Sequence, residues 1–229
     1  MRDELGDRMK RQYEDRTRYM LPRRTYTLIR VDGRAFHTLC RPFEKPFDRM
    51  ITNAMDAVAS GLVTTMQNAR FAYVQSDEVS LLMTDFETVE TEAMFDNNVQ
   101  KLASVSASIA TACFNAAMPE WRRLATFDSR VWTIPDPTEV ENYFLWRQKD
   151  AVRNSINAIA QSRFGHSACQ GMKVHELVER LELNDVMLDE VATPRDRMGG
   201  LVEPDGAMTQ AFNWREHRWQ LISMIPRMS

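Results

Sequence analysis

The amino-acid sequence predicts an α+β domain of the split βαβ, or ferredoxin-like, kind, extended by C-terminal helices. Strand and helix patterns alternate between residues 25 and 134 in the order strand, helix, strand, strand, helix, strand. The second and third strands flank an acidic turn, as they do in a hairpin. This order defines the split βαβ unit, in which the first and third strands are antiparallel neighbours.

The first 22 residues form a basic segment that we expect to be helical and to end near Pro22, because proline stops a helix. Residues 1–50 contain 13 Lys and Arg against 8 Asp and Glu, although the whole chain has a net charge of −3. These cations could bind phosphates, but a solvated helix face has the same composition. Charge alone leaves both interpretations open.

The remaining elements follow in order along the chain. Residues 25–31, TYTLIRV, predict the first strand, and Asp48 is a candidate N-cap for a helix with a possible C-terminal stop at Gly61. The later predictions are hairpin strands at 71–75 and 79–83, a helix at 93–117, a strand at 127–134, a long helix at 138–163 and a short strand at 200–202.

Three segments are predicted: the basic arm at residues 1–22, a central domain at residues 23–164, and a C-terminal extension at residues 165–229 that packs on it. No apolar run reaches the length of a membrane span, and the N-terminus is charged where a signal peptide is apolar. We therefore expect a cytoplasmic protein without a membrane partner. The three cysteines lack CxxC spacing, which favours reduced thiols over disulfides or a zinc site.

Two acidic residues are candidates for a metal site. Asp32 follows the first predicted strand, and Asp77 lies in the hairpin turn, so the split βαβ topology should bring them to one edge of the sheet. Close carboxylates repel unless they are protonated or bridged by a metal, and carboxylate oxygens suit Mg²⁺. Either residue alone would indicate a plain polar turn. Together, with Glu78 beside them, they predict nucleotidyl transfer with two Mg²⁺ ions.

Three motifs resemble those of the tRNA-His guanylyltransferase family, which adds nucleotides in the 3′-to-5′ direction. They are RVDGRAFH at residues 30–37 followed by Lys45, QSDEVSLLM at residues 75–83, and a late signature at residues 127–136 and 144–154. The order and the spacing of these motifs both agree with the family. The resemblance runs from residue 26 to residue 164 and more faintly to residue 202.

The resemblance implies a palm domain of the nucleotidyltransferase type that acts with Mg²⁺ on tRNA and nucleoside triphosphates. Asp32, the Gly33 carbonyl and Asp77 would hold the metal ions, with Glu78 as a further catalytic acid. The positions implied to bind nucleotide or the 5′ end of tRNA are Arg30, Arg34, Phe36, His37, Lys45, Ser76, Lys101, Arg130 and Asn154. In the family, ATP or GTP activates a 5′-monophosphate, the 3′-hydroxyl of an incoming nucleotide attacks, and pyrophosphate leaves. A homo-oligomer, typically a tetramer, is also implied.

Two sites depart from the family pattern. Members dedicated to tRNA-His carry a His-Ile-Asn-Asn run after the WRQ motif, where this chain has Val152 to Ser155 and retains only Asn154. The loss of that histidine resembles the bacterial, archaeal and phage-like branch, which favours template-dependent repair of 5′-truncated tRNA. Ser129 stands where the family has glycine, which either reshapes a turn or alters phosphate contacts.

Two other functions are alternatives to this prediction. A nucleotidyl cyclase of the diguanylate type has a similar acidic hairpin, but residues 75–79 read QSDEV and lack the glycines that would let a guanine nucleotide approach the backbone. A non-catalytic tRNA-binding subunit would keep the fold without turnover, although Asp32, Asp77 and Glu78 are all intact. Metal-dependent pyrophosphate release from a nucleoside triphosphate would separate an enzyme from such a binding protein.

Overall fold

The computed structural model describes residues 3–210 and 213–228, and a six-stranded antiparallel sheet lies at its centre. The strands are β1 (Tyr26–Gly33), β2 (Ala69–Gln75), β3 (Glu78–Thr84), β4 (Phe127–Ile134), β5 (Gly200–Val202) and β6 (Met208–Gln210). Their order in the sheet is β4-β1-β3-β2-β5-β6. The predicted α+β class is confirmed, as is the antiparallel pairing of the first and third strands.

Helices cover both faces of this sheet. The α-helices of the described residues are α1 (Glu4–Met9), α2 (Phe36–Leu39), α3 (Arg49–Thr65), α4 (Val99–Ala117), α5 (Pro137–Phe164), α6 (His166–Cys169), α7 (Val174–Glu182), α8 (Leu188–Val191), α9 (Pro194–Met198) and α10 (Arg218–Met224). Helices α3 and α4 pack on one face, and the first half of α5 packs on the other. The second half of α5 extends beyond the sheet and packs against α7.

The alternation of side chains along β1 decides which residues face α5. Ile29 and Val31 belong to the apolar core under α3 and α4, whereas Leu28 belongs to the core under α5. Successive side chains of a strand point to opposite faces of the sheet. Arg30 and Asp32 therefore lie on the α5 face, toward the end of the strand.

The C-terminal segment packs on the first half of α5. Glu141 of α5 is 3% exposed and accepts hydrogen bonds from Arg218 at 2.9 Å and from Arg227 at 2.9 Å. The backbone amide of Trp214 donates to the Gln148 side-chain oxygen at 2.7 Å. These bonds satisfy polar groups of α5 that would otherwise be buried without partners.

Helix α3 continues through Gly61, where the sequence predicted a possible stop. Its predicted N-cap is observed, because the Asp48 carboxylate accepts hydrogen bonds from the amides of Met50 and Ile51 at 2.8 and 3.4 Å. A Cβ atom added at Gly61 would overlap the sulfur of Cys113 on α4. The glycine therefore permits the close approach of α3 and α4 and does not end the helix.

The N-terminal helical stretch ends at Thr17, short of the predicted end at Pro22. Beyond it the backbone is extended, because it pairs with the residues that precede α4. The amide of Leu21 donates to the Asn97 carbonyl oxygen at 3.0 Å. This pairing takes the place of the hydrogen bonds that a longer helix would have made.

Helix α4 begins at Val99, six residues after its predicted start at Ala93. Phe95 and Asp96 adopt left-handed backbone angles, which a right-handed helix cannot include. The short strand β6 was not predicted. No helix in residues 3–210 and 213–228 combines the length and the apolar character that a bilayer span requires.

Candidate active site

Asp32 and Asp77 lie together at the hairpin edge of the sheet, as the topology predicted. Asp32 is the penultimate residue of β1, and Asp77 follows Ser76 in the two-residue turn between β2 and β3. The Gly33 amide donates a hydrogen bond to the Asp77 carbonyl oxygen at 2.9 Å. This bond holds the turn against the end of β1, so the backbone sets the spacing of the two acidic residues.

The environment of the acidic pair disfavours its negative charge. Burial raises the pKa of Asp77 to about 6, and the nearby Asp32 carboxylate adds to the rise. Burial also raises the pKa of Asp32, with a contribution from Asp128, while Arg30 and Arg130 oppose it. Asp128 lies opposite Asp32 in the β1–β4 register and was missed in the sequence. Like charges held this close favour a bound cation.

The side chains present fit Mg²⁺ better than a metal that needs a complete protein cage. In the part of the chain that the structure describes, no group of three or more His, Cys, Asp or Glu could hold an ion. Mg²⁺ commonly keeps several waters and binds one or two carboxylates together with substrate phosphates. The carboxylates of Asp32 and Asp77 supply that number of ligands, and the buried charge of Asp77 gives them a reason to bind a cation.

Glu78 lies opposite Asp32 in the β1–β3 register and takes part in a buried ion-pair network. It is 6% exposed and accepts hydrogen bonds from Arg147 of α5, from Nε at 2.8 Å and from NH2 at 2.6 Å. The Ser80 hydroxyl donates to Glu78 at 3.3 Å, and the Arg30 Nε atom lies 4.0 Å away. The structure thus shows Glu78 held by arginine, in a position to fix the turn, while its predicted role as a catalytic acid stays a prediction.

A cavity of about 620 Å³ opens beside Asp77. It lies between α2 and its following loop, the start of α3, the hairpin turn and the second half of α5. The predicted site residues in its lining are Phe36, His37, Lys45, Ser76, Asp77 and Asn154. Its volume is in the range of small-ligand pockets, which run from roughly 300 to 1,000 Å³. The lysine suits a phosphate, while nearby apolar side chains suit a base or a ribose.

The far wall of the cavity contains residues that the sequence reasoning missed. They are Thr52, Gln161, Ser162, His166 and Arg195. Arg195 is 8% exposed, and its Nε atom donates to Asp56 of α3 at 3.0 Å. These residues meet only because α6 and α9 pack against α5, so no local motif marked them.

Three of the predicted binding residues lie outside the cavity, on the β4 side of the acidic pair. Arg30 is mostly buried between the sheet and α5, and Arg130 lies opposite it on β4 with an exposed side chain. Arg34 is exposed, and its amide donates to the Thr126 carbonyl oxygen at 2.9 Å. The acidic pair therefore has a cavity on one side and arginines on the other.

Phe36 is a core residue, although it was predicted to bind nucleotide. Its ring is 4% exposed and packs edge-on against Phe114, with 5.1 Å between the ring centroids. A Cβ atom added at Gly33 would overlap this ring. Phe36 therefore supports the loop that follows β1, and only its edge reaches the cavity wall.

Lys101 belongs to α4, which packs on the face of the sheet opposite Asp32. It is in the first turn of α4, with its ammonium 5.7 Å from the centroid of the Phe95 ring. Ser106, five residues further along α4, hydrogen-bonds to Ser129 of β4, which is the neighbour of Asp128. The role of Lys101 in nucleotide binding stays a prediction.

The structure shows the contacts of the residues that depart from the family pattern. The Ser129 hydroxyl hydrogen-bonds to Ser106 of α4 at 2.7 Å, on the face opposite the acidic pair, so it makes no phosphate contact there. Asn154 lines the cavity. Val152 is partly exposed, and Arg153 forms an ion pair with Asp150 at 2.6 Å.

Comparisons with solved structures find the same architecture in nucleotide complexes. A bacterial tRNA(His) guanylyltransferase-like protein in complex with ATP is 35% identical, with a TM-score of 0.91, over 98% of this chain and 100% of that one. A bacterial tRNA(His) guanylyltransferase-like protein in complex with GTP is 32% identical, with a TM-score of 0.80 over the same shares.

Sequence comparisons give a consistent result. The tRNA(His) guanylyltransferase of Debaryomyces hansenii is 32% identical over 152 residues, which cover 62% of this chain and 55% of that protein. The chain thus spans little more than half the length of this relative. The family model described as tRNAHis guanylyltransferase matches residues 6–135, which is more than half of the chain. This chain therefore belongs to the tRNAHis guanylyltransferase family.

Proposed function

We propose that this chain adds nucleotides to the 5′ end of tRNA in the 3′-to-5′ direction by metal-dependent nucleotidyl transfer. The observation that carries the proposal is the Asp32–Asp77 pair beside a cavity large enough for a nucleoside triphosphate. Family membership and the likeness to ATP and GTP complexes support the substrate class. The strand order β4-β1-β3-β2 supports a ferredoxin-like palm of the polymerase type.

Each chemical step is an in-line displacement at phosphorus. The 5′-monophosphate attacks the α-phosphorus of ATP or GTP and releases pyrophosphate; the 3′-hydroxyl of the incoming nucleotide then attacks the activated 5′ phosphorus and releases the nucleoside monophosphate. Asp32, the Gly33 carbonyl and Asp77 would hold two Mg²⁺ ions, which would neutralise charge on the reacting phosphates. Lys45 contributes a further positive charge at the cavity wall.

The protein's own residues bind and orient the substrates and form no covalent bond with them. Gly33 holds the Asp77 turn through its amide, and Arg147 holds Glu78 at the base of that turn. His37, Ser76 and Asn154 present polar groups to the cavity. Because hydrogen bonds hold Gly33, Glu78 and Arg147 before the substrate binds, the turn needs little reorganisation during the reaction.

We place the activity nearer to template-dependent 5′-end repair than to dedicated tRNA-His guanylylation. Asn154 is the one residue retained from the His-Ile-Asn-Asn run, and it lines the cavity. Pairing with the opposite tRNA strand then selects the incoming base. A cytoplasmic homo-oligomer, a tetramer by family resemblance, is part of the same proposal.

The test is 5′ extension of tRNA transcripts by wild type, Asp32→Asn and Asp77→Asn. Truncated and full-length 5′-monophosphorylated transcripts are incubated with Mg²⁺, ATP and labelled nucleoside triphosphates. We expect template-matched extension of the truncated transcript, reduced by roughly 10³-fold or more in both variants because each loses a charged metal ligand. Asp185→Asn, which changes an exposed acidic residue in a turn, is the matched control and should retain activity.

Two results would contradict this function. A cyclic product formed from a nucleoside triphosphate alone, without extension, would support a cyclase. Binding of tRNA without metal-dependent pyrophosphate release would indicate a non-catalytic subunit.

A further inference from the structure

An exposed tryptophan, Trp146, lies on α5 on the β4 side of the acidic pair. Its side chain is 49% exposed, whereas Trp214, which packs on Tyr73 at the other side of α5, is 1% exposed. Tryptophan is highly buried on average. A half-exposed ring this close to a reaction site therefore requires an explanation.

Contacts with Tyr143 and Arg147 hold the Trp146 ring in place. The Tyr143 ring centroid lies 6.0 Å from that of Trp146 and 5.4 Å from that of Trp132 on β4. The Arg147 guanidinium lies over the Trp146 ring, 4.5 Å from its centroid. Because Arg147 also binds Glu78, which lies opposite Asp32 in the β1–β3 register, only two side chains separate Trp146 from the acidic pair.

A cation suited to phosphate stands on the same face. The Arg130 side chain is 58% exposed and lies on β4, two residues before Trp132. Its contact with Asp128 is 3.8 Å long, and that carboxylate is itself 54% exposed. Exposed pairs of this kind contribute about 0–1 kcal/mol, so Arg130 can exchange this partner for a phosphate.

A purely structural role for Trp146 would be to cover the Arg147–Glu78 pair. The guanidinium occupies only one face of the ring, however, and about half of the side chain stays in contact with water. A cover alone would not need this exposed area. A flat, rigid aromatic surface beside an exposed arginine matches what proteins use to bind unpaired nucleotides.

We propose that Trp146 and Arg130 form a platform that stacks an unpaired base of the RNA substrate and binds its phosphate. This inference rests on the proposed function, which brings two nucleotides together at the acidic pair. Among the described residues, the cavity wall includes the end of β2 and the hairpin turn but no residue of β4, so a nucleotide in the cavity would lie on the β2 side of the acidic pair. The platform receives the RNA strand from the β4 side.

The test compares Trp146→Leu and Trp146→Phe with a matched control, Trp219→Leu, which removes a 65% exposed tryptophan on α10. Affinity for a fluorescent acceptor-stem hairpin with unpaired 3′ nucleotides is measured beside affinity for ATP. Trp146→Leu should raise the RNA Kd about 5- to 150-fold through the loss of one stacked base. Phenylalanine should retain most of the affinity, and the control should match wild type.

A second RNA hairpin, which lacks the unpaired 3′ nucleotides, shows which base stacks on Trp146. If the effect of Trp146→Leu disappears without the overhang, the base belongs to the 3′ nucleotides; if it persists, the base is the 5′-terminal one, and either result supports the platform. Arg130→Gln should reduce the slope of log Kd against log salt by about 0.7 to 0.9, as expected for one lost phosphate contact. An unchanged slope would overturn that contact.

Equal RNA affinity of wild type and Trp146→Leu would overturn the platform. So would a parallel loss of ATP affinity and thermal stability, because it would identify Trp146 as a cover for Arg147. These assays measure binding without turnover. Failure of the wild-type protein to extend tRNA would therefore contradict the proposed function, whereas the RNA-binding assays would still test the platform.

Discussion

The face of the sheet under α3 and α4 is packed mainly by apolar side chains, whereas the face under α5 carries a buried ion-pair network at its hairpin end. Leu62, Leu81 and Phe114 are fully buried in the first, and Glu78 and Arg147 are buried in the second. Burial of apolar surface stabilises the fold without requiring one geometry, while a buried ion pair is weak evidence for stability but fixes positions. The buried ion pair therefore fixes positions at the hairpin end of one face, whereas the other face is packed mainly by apolar side chains.

Arg147→Met should produce the largest loss of stability and would test the α5 face. It leaves the Glu78 carboxylate buried without its partner, which costs about 3 to 5 kcal/mol. Urea unfolding of the single variant and of Glu78→Gln/Arg147→Met measures this cost. The double variant should recover part of it, and equal losses in both would show that the two side chains are not coupled.

Asp77→Asn should stabilise the metal-free protein at neutral pH, because it removes a buried carboxylate at the hairpin end of the sheet. The pKa of Asp77 is about 6 in the folded protein against an ordinary value of 3.8, so folding favours the protonated form. Stability should then fall as pH rises from about 4 to 6, by at most about 3 kcal/mol. The variant should lose this dependence and match wild type below pH 4.

The same comparison of wild type with Asp77→Asn is repeated in the presence of Mg²⁺. The ion should raise the melting temperature of wild type above pH 6 and have little effect on Asp77→Asn, because a ligand that binds only the folded state stabilises it. An identical pH profile for the two proteins would contradict the assignment of the titration to Asp77.

Gly61→Ala should have the smallest effect and would test the α3–α4 face. The added methyl group overlaps the Cys113 sulfur, and overpacking of this kind costs about 1 to 3 kcal/mol. Gly61→Ala/Cys113→Ala should recover most of the loss, and ATP affinity should stay unchanged in both. A change in ATP affinity would show that packing on the α3–α4 face also positions the site.

The acidic pair could be predicted because Asp32 and Asp77 each lie where a strand meets a turn. The split βαβ topology brings these two turns to the same end of the sheet. Arg147 could not be predicted, since its partner Glu78 lies 69 residues away and no local pattern distinguishes a buried arginine from an exposed one. The role of Lys101 stays a prediction, because its alignment crosses an acidic stretch of 20 residues, Asp77 to Asp96. Trp214 is buried against Tyr73 and Phe144 whereas Trp146 is half exposed, and no local sequence pattern distinguishes the two.

The Glu141 carboxylate on α5 also has a consequence for the order in which the two faces form during synthesis. Its partners Arg218 and Arg227 leave the ribosome long after the strands and helices of the α3–α4 face, nearly all of which are complete by Ile134. A nascent chain can therefore close its apolar face early. The face that positions the reaction gains these partners only after residues 218 and 227 have been made, so the catalytic surface matures after the scaffold that supports it.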